Sequence, residues 1–380
     1  MAQIELCNIT KKYKDTVALD NISLTIKDNE FFVLFGPAGA GKTTLLKTIA
    51  GAEFPQGGLV KIDGKIVNHV ESKDRNVSMV FENYALYPNL TVYDNIASPM
   101  RSKLYKKDEE YIKEAIGKVT QMMKIGHLLE RKPSQLSNGQ RQRVALGRCL
   151  VRNPNVFLMD EPLAHLDAKL RHFMRGELKE MQTSISSTTI YVTHDYVEAM
   201  SLADRIAVVN QGRIVQIGTA QEMYYTPCNE FVACLFGEPE INIIKTKMKK
   251  NKQGIDFQLE EQKICLHPIG TSADILANIG QEDIHIGIRG NDIRFEFEKQ
   301  GDEWLEGTVY ANEPIGNKVI MTVSYGKEKI AITCPNNTVA NMDQKVYFKL
   351  NMKKALYFDG ATQEFITRND IERYTGIIKK

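Results

Sequence analysis

Short apolar or alternating runs bounded by Gly, Asp and Asn occupy residues 4–9, 17–26, 31–35, 58–62 and 77–81, and each reads as a strand. From about 92 to 152 the pattern turns helical, with Lys/Glu-rich segments at 106–125 and 139–152. Apolar strands at 155–159, 189–193 and 205–209 then alternate with helices at 167–184 and 196–203. A strand-rich start, a helical insert and an alternating remainder predict an α/β domain. After about residue 240 the helical periodicity fades. Alternating runs at 284–289, 307–309, 319–323, 330–333 and 346–350 predict a separate small β domain, a barrel.

Bulk properties narrow this picture. With 380 residues, two domains are expected. The 49 basic and 47 acidic residues leave no broad positive field, so a nucleic-acid role is not favoured. No apolar run approaches the roughly 18–20 residues of a spanning helix, and the chain is expected to be neither exported nor membrane-spanning. Cys7, Cys149, Cys228, Cys234, Cys265 and Cys334 are scattered without a metal-type CxxC pair, as for reduced thiols in a cytosolic protein. The Lys-rich stretch 245–252 reads as a solvated strand and turn rather than a binding strip.

The chemistry begins after the apolar run 31–35, where Gly36-Pro37-Ala38-Gly39-Ala40-Gly41-Lys42-Thr43 leads through Thr44 into the helical 45–50. Strand, glycine-rich loop and helix in this order form a P-loop. Its glycines let backbone N–H groups converge on phosphates beside a helix N-terminus of partial positive charge. Lys42 would reach the β/γ phosphates, and the Thr43 hydroxyl would ligate Mg²⁺. A second apolar run, 156–159, ends in Asp160-Glu161-Pro162. Two acids at the end of a buried strand are costly without a cation, so Asp160 is expected near a metal and Glu161 near an attacking water. His194 follows the apolar run 189–193, where side chains leave a parallel sheet toward its ligand edge, and is expected to contact the γ-phosphate.

The stretch Leu136-Ser137-Asn138-Gly139-Gln140-Arg141-Gln142-Arg143-Val144-Ala145-Leu146-Gly147-Arg148 closely resembles the signature segment of ATP-binding cassette proteins. The resemblance covers about residues 3–236. It implies an ATP- and Mg²⁺-dependent ATPase that pairs head to tail with a second cassette subunit, Ser137, Gly139 and Gln140 completing the site on that subunit's P-loop. By position, Tyr13 looks like the aromatic that stacks on adenine, Val17 like its apolar neighbour, and Asp167 like the acid linking the two sites. Three stretches resemble the carbohydrate-importer ATPases of maltose and glycerol-phosphate type: residues 84–92, residues 166–171, and a C-terminal β domain containing Ile286-Gly287-Ile288-Arg289. That likeness implies a nucleotide-binding domain over 1–236, with a helical subdomain at about 88–152, and an OB-like, TOBE-type domain over 237–380. It also implies a peripheral position on the cytoplasmic face of the membrane. A permease would dock near Tyr84 and Pro88 (residues 84–88), and an extracytoplasmic solute-binding protein would act indirectly.

The sequence departs from that family pattern in places. Glu82 stands where the family usually has Gln at a position touching Mg²⁺ and the attacking water, Asn138 replaces Gly, His165 replaces a common Asn, and Gly290 follows Arg289 where Pro is frequent. A carboxylate at 82 ligates Mg²⁺ well but repels a γ-phosphate. Asn tolerates left-handed backbone, so the turn at 138 is expected to survive. These departures raise an alternative, a regulatory or weakly hydrolysing member of a heterodimeric ATPase.

Overall fold

The computed structural model describes residues 2–152, 154–184, 187–251, 254–259 and 265–375. The chain divides into two compact units, Met1–Ala220 and Gln221–Lys380.

The first unit opens with β1 (Ile4–Tyr13), β2 (Thr16–Ile26), β3 (Phe31–Phe35), α1 (Lys42–Ala50), β4 (Gly57–Ile62), β5 (Lys65–Ile66) and β6 (Val77–Val80). The helical insert follows as α2 (Val92–Arg101), α3 (Glu109–Met122) and α4 (Asn138–Leu150). The remainder is β7 (Val156–Asp160), α5 (Ala168–Ser184), β8 (Thr188–Thr193), α6 (Tyr196–Leu202), β9 (Arg205–Asn210) and β10 (Arg213–Gly218).

One antiparallel sheet runs β2-β1-β4-β5, and a second runs β10-β9-β3-β8-β7-β6. In the second sheet β9, β3, β8, β7 and β6 are parallel. Every residue of β3, β7 and β8 is buried, as expected of strands covered on both faces. The antiparallel edge strand β10 is joined to β9 through Gln211 and Gly212, both at positive φ, the two-residue turn that matches strand twist. Parallel pairing brings the ends of β3, β7 and β8 to one edge, which delivers the P-loop, Asp160 and His194 together. Helix starts in the insert are set by side chains: Thr91 accepts from Asp94 N, and Asp108 accepts from Tyr111 N.

The second unit takes in most of α7 (Ala220–Tyr225), then α8 (Glu230–Leu235), β11 (Asn242–Asn251), β12 (Gly254–Gln258), β13 (Cys265–Leu266), α9 (Thr271–Ala277), β14 (Asp283–Ile288) and β15 (Ile293–Glu296). It ends with β16 (Leu305–Ile315), β17 (Lys318–Tyr325), β18 (Glu328–Pro335), β19 (Lys345–Leu350), β20 (Leu356–Asp359), β21 (Phe365–Arg368) and α10 (Ile371–Thr375). Two antiparallel sheets, β13-β12-β11-β14-β20-β21 and β15-β19-β16-β17-β18, share one core. Ile244, Phe257 and Ile286 of the first pack with Val309, Met321 and Phe348 of the second. The Lys-rich strip lies in β11, where Thr246 and Met248 turn inward and Lys245, Lys247 and Lys249 outward; Lys252 lies outside the described residues. The division of contacts falls before residue 236 because α8 packs into the second unit, Ala233 against Ile241, Leu356 and Phe358.

Candidate active site

The turn between β3 and α1 can be made only by glycine at two points. At Gly36 (φ 152°) a Cβ would lie 2.1 Å from Val209 O, and at Gly41 (φ 103°) it would lie 2.4 Å from Ala18 O. Ala40 is buried and ties the loop down: its N–H donates to Pro37 O (3.3 Å), and its carbonyl accepts from Gly212 N (3.0 Å). Pro37, Ala38 and Gly39 are left as an exposed tip. Lys42, 5 % exposed, donates from Nζ to Gly36 O and Pro37 O, each at 2.8 Å. Burial lowers its pKa, while the charges of Glu161 and Asp160 act the other way.

Facing the loop, Thr43 Oγ1 donates to Asp160 Oδ1 at 3.0 Å. Asp160 is 2 % exposed, and its carboxyl is pushed up to about 6. Burial is the main cause; Thr43's hydrogen bond opposes it, and the charges of Glu82 and Glu161 add to it. Such a carboxyl favours a cation beside it. The next residue, Glu161, is left-handed (φ 45°), which costs on the order of 1 kcal/mol for a side chain of its kind. Its N–H donates to Val192 O (3.1 Å), and its carbonyl accepts from Gln142 Nε2 (3.3 Å). The sharp turn separates two adjacent acids, sending Asp160 to Thr43 and Glu161 to His194, whose Nδ1 is 3.0 Å from Glu161 Oε1.

His194 itself stands on a braced strand end. Thr193 Oγ1 and Tyr191 OH each donate to Glu198 Oε2 at 2.8 Å, and burial raises the pKa of Glu198. Glu82 lines a cleft of about 490 Å³ with Thr43, Asp160, Tyr84, Asn138 and His165. Among the described residues no group of three His, Cys, Asp or Glu side chains is arranged to hold a metal unaided. Thr43, Asp160 and Glu82 supply oxygen donors of the kind Mg²⁺ takes.

Tyr13 and Val17 sit on the β1–β2 hairpin, 41 % and 42 % exposed. Burial, with the charge of Glu53, raises the pKa of the Tyr13 hydroxyl. Lys11 Nζ lies 5.0 Å from that ring and pairs with Glu53 at 2.9 Å. Ser137, Gly139 and Gln140 belong to another helix end. Ser137 Oγ accepts from Gln140 N (3.4 Å) while Gln140 Oε1 accepts from Ser137 N (3.0 Å), a capping box at the start of α4. Asp167 likewise accepts from Leu170 N at 2.9 Å at the head of α5. The left-handed turn expected at Asn138 is a correction: Asn138 is the first residue of α4, so Ser137 makes the turn in extended backbone and no positive φ is required.

A family profile described as ABC transporter matches residues 19–164. The sn-glycerol-3-phosphate import ATP-binding protein UgpC of Psychromonas ingrahamii is 43 % identical over 322 residues, 84 % of this chain and 82 % of that protein. The trehalose/maltose import ATP-binding protein MalK of Thermococcus litoralis is 40 % identical over 378 residues, covering 96 % of this chain and 100 % of that one. The chain belongs to the ABC transporter ATP-binding proteins. An ATP-binding cassette solved as a dimer in a post-hydrolysis state with ADP and Pi superposes with a TM-score of 0.54 at 31 % identity, covering 57 % of this chain and 98 % of that cassette.

Two further residues of this ABC cassette brace the site through long-range contacts. Gln142, buried on α4, holds Glu161 by its carbonyl and accepts from His165 N at 3.1 Å, so it braces both sides of the turn after β7. Arg148 donates to the carbonyls of Tyr84 (2.9 Å) and Ala85 (2.8 Å), consecutive residues at φ 65° and 45°. Both sit within the signature segment, but their contacts are with residues 19 to 64 positions away, which periodicity does not report.

Proposed function

We propose that this chain is the ATP-hydrolysing subunit that energises import of a sugar, polyol or glycerol-phosphate-type solute through a membrane permease, from the cytoplasmic face and as one of two paired cassettes. The observation that carries the reading is the Glu161–His194 pair set beside the Thr43–Asp160 pair at the mouth of the P-loop. Retention of Glu161 favours turnover over a purely regulatory role.

Adenine stacks on Tyr13 beside Val17, and the phosphates take the exposed Pro37–Gly39 tip, the N–H groups through Thr44, and the Lys42 ammonium in place of its two carbonyls. Thr43, Asp160 and Glu82 would hold a Mg²⁺, which would supply charge neutralisation at the phosphates. Glu161 accepts the proton of an attacking water, and His194, hydrogen-bonded to Glu161, faces the γ-phosphate. Ser137, Gly139 and Gln140 would close on the nucleotide of the other cassette, with Asp167 beside that interface. The permease docks near Tyr84 and Pro88, where Tyr87 is exposed and Arg148 fixes the loop. The relatives named for glycerol-phosphate and trehalose/maltose import support the solute class; an external solute-binding protein would deliver that solute to the permease. We also read the C-terminal β domain as OB-like, from its antiparallel sheets around one core.

Affinity purification from the native membrane tests this. Co-purification of permease subunits of the sugar or polyol class, with nucleotide-dependent transport on reconstitution, is expected. Recovery with a permease of another solute class, or with no permease, would overturn it.

A further inference from the structure

Within the second unit, a cleft of about 330 Å³ lies between the end of α7, the residues after β14 and the start of β20. Arg289 and Arg368 line it, each only 5 % exposed. Among the described residues neither guanidinium forms a salt bridge; both rest on carbonyls and rings. Arg289 donates to Phe236 O and to Tyr224 O (2.8 Å), and its guanidinium carbon lies 3.6 Å from the Tyr224 ring centre. Arg368 donates to Tyr225 O (3.2 Å) and to Asn369 O (3.3 Å), and lies 5.2 Å from the Tyr225 ring and 4.3 Å from that of Tyr374. A guanidinium carries more N–H donors than these carbonyls occupy. Burial lowers the pKa of both, the mark of desolvated positive charge.

A third cation lines the same cleft. Lys354 Nζ is 2.7 Å from Asp292 Oδ1, the one carboxylate among the lining residues. Three cations face Asp292, whose charge acts on both guanidinia, and Asp370, whose charge acts on Arg368, so positive charge stays in excess in a space with tyrosine walls. Carbonyl contacts alone would be served by a neutral donor, whereas buried positive charge in excess of its counter-charge is expensive. A phosphate dianion supplies two negative charges and oxygens matched to guanidinium forks. The volume sits near the lower end of the range of about 300–1,000 Å³ for small-molecule sites, so the organic body is limited to a few carbons or one sugar ring.

We propose that this cleft of the C-terminal unit binds a small phosphate monoester, its phosphate held by Arg289, Arg368 and Lys354 and its body set against Tyr224 and Tyr225. All its residues belong to the second unit, so it shares none with the P-loop.

The test is calorimetric titration of the full chain, preloaded with Mg²⁺ and a non-hydrolysable ATP analogue so that the P-loop is filled. Glycerol 3-phosphate and glucose 6-phosphate are the probes; inorganic phosphate and succinate are the comparison arms. Saturable binding of at least one monoester is expected, tighter than succinate. Lys354→Glu should weaken it about tenfold or more while basal ATPase is unchanged. Should that variant melt early, Lys354→Met gives the same readout in the same direction. Absence of saturable binding, equal binding by succinate or by inorganic phosphate alone, binding insensitive to position 354, or binding seen only when the P-loop is open would each overturn the proposal.

Discussion

Replacing Asp160 by Asn should stabilise the nucleotide-free chain at neutral pH while disabling it. Asp160 is 2 % exposed, and its carboxyl is raised from 3.8 to about 6, so the folded protein holds the proton more tightly than the unfolded chain does. The sign follows from linkage: below pH 3.8 the carboxyl is neutral in both states and carries no penalty; between 3.8 and 6 stability falls as pH rises; above 6 the whole penalty is present. At about 1.4 kcal/mol per unit this amounts to roughly 3 kcal/mol. Asn keeps an oxygen for the Thr43 hydroxyl at that distance and removes the charge. Urea unfolding from pH 4 to 8, without nucleotide, is the assay. Trp304, the single tryptophan, lies in the second unit, so the first unit is followed by helical circular dichroism. Asp160→Asn should unfold at higher urea than the parent at pH 8, with the gap closing toward pH 4. With Mg²⁺ and ATP the order should reverse, because the amide is a poor partner for a cation that the carboxylate welcomes. An Asn variant no more stable than the parent at pH 8 without nucleotide would refute the reasoning.

Glu82→Gln removes a negative neighbour of Asp160, so the same urea series should show a smaller gap and a lower midpoint for the pH effect. Glu161→Gln keeps a hydrogen-bond partner for His194 but not a proton acceptor; steady-state ATPase should fall by about 10²–10⁴-fold with nucleotide binding retained by filter assay. Gly36→Ala places a Cβ 2.1 Å from a backbone oxygen; ATP binding should be lost, or the melting temperature reduced, in an equilibrium titration and thermal scan. Arg148→Ala frees the carbonyls of Tyr84 and Ala85, so permease-coupled transport in reconstituted vesicles should drop more than the basal ATPase of the isolated subunit.

The P-loop and the Asp160-Glu161 pair were legible because both are local. Gly36 and Gly41 are demanded by the backbone of one turn, and a buried run ending in two acids is visible in a few consecutive letters. The strands of the first unit were legible for a related reason: parallel strands buried on both faces read as unbroken apolar runs, as Phe31–Phe35 does. The route by which two neighbouring acids part company was not legible. It depends on the positive φ of Glu161, held by Val192 O and Gln142 Nε2 from distant parts of the chain. The reading of Asn138 failed differently: a family glycine suggested a left-handed turn, yet the capping box of Ser137 and Gln140 makes position 138 ordinary helix. The cleft around Arg289 and Arg368 had no signature either, because its charges converge from strand ends far apart in sequence.

Each candidate group of the site already has a protein partner: Lys42 the carbonyls of its own loop, Thr43 the Asp160 carboxyl, and Glu161 the His194 ring. Nucleotide binding is therefore an exchange of partners, and only the difference appears as affinity, since a typical hydrogen bond contributes about 0.5–1.5 kcal/mol net. What tips the exchange is charge. A buried ammonium with its pKa pulled down and a buried carboxyl pushed up to about 6 are both strained in the same sense, by burial. Phosphate relieves the first and a divalent cation the second, so ATP and Mg²⁺ should each bind more tightly when the other is present. The two motifs stand 117 positions apart in sequence yet meet in one hydrogen bond, which places the two strained groups side by side. Neither group alone sits in a favourable electrostatic state, and a complex holding both phosphate and a divalent cation would be the state in which both do.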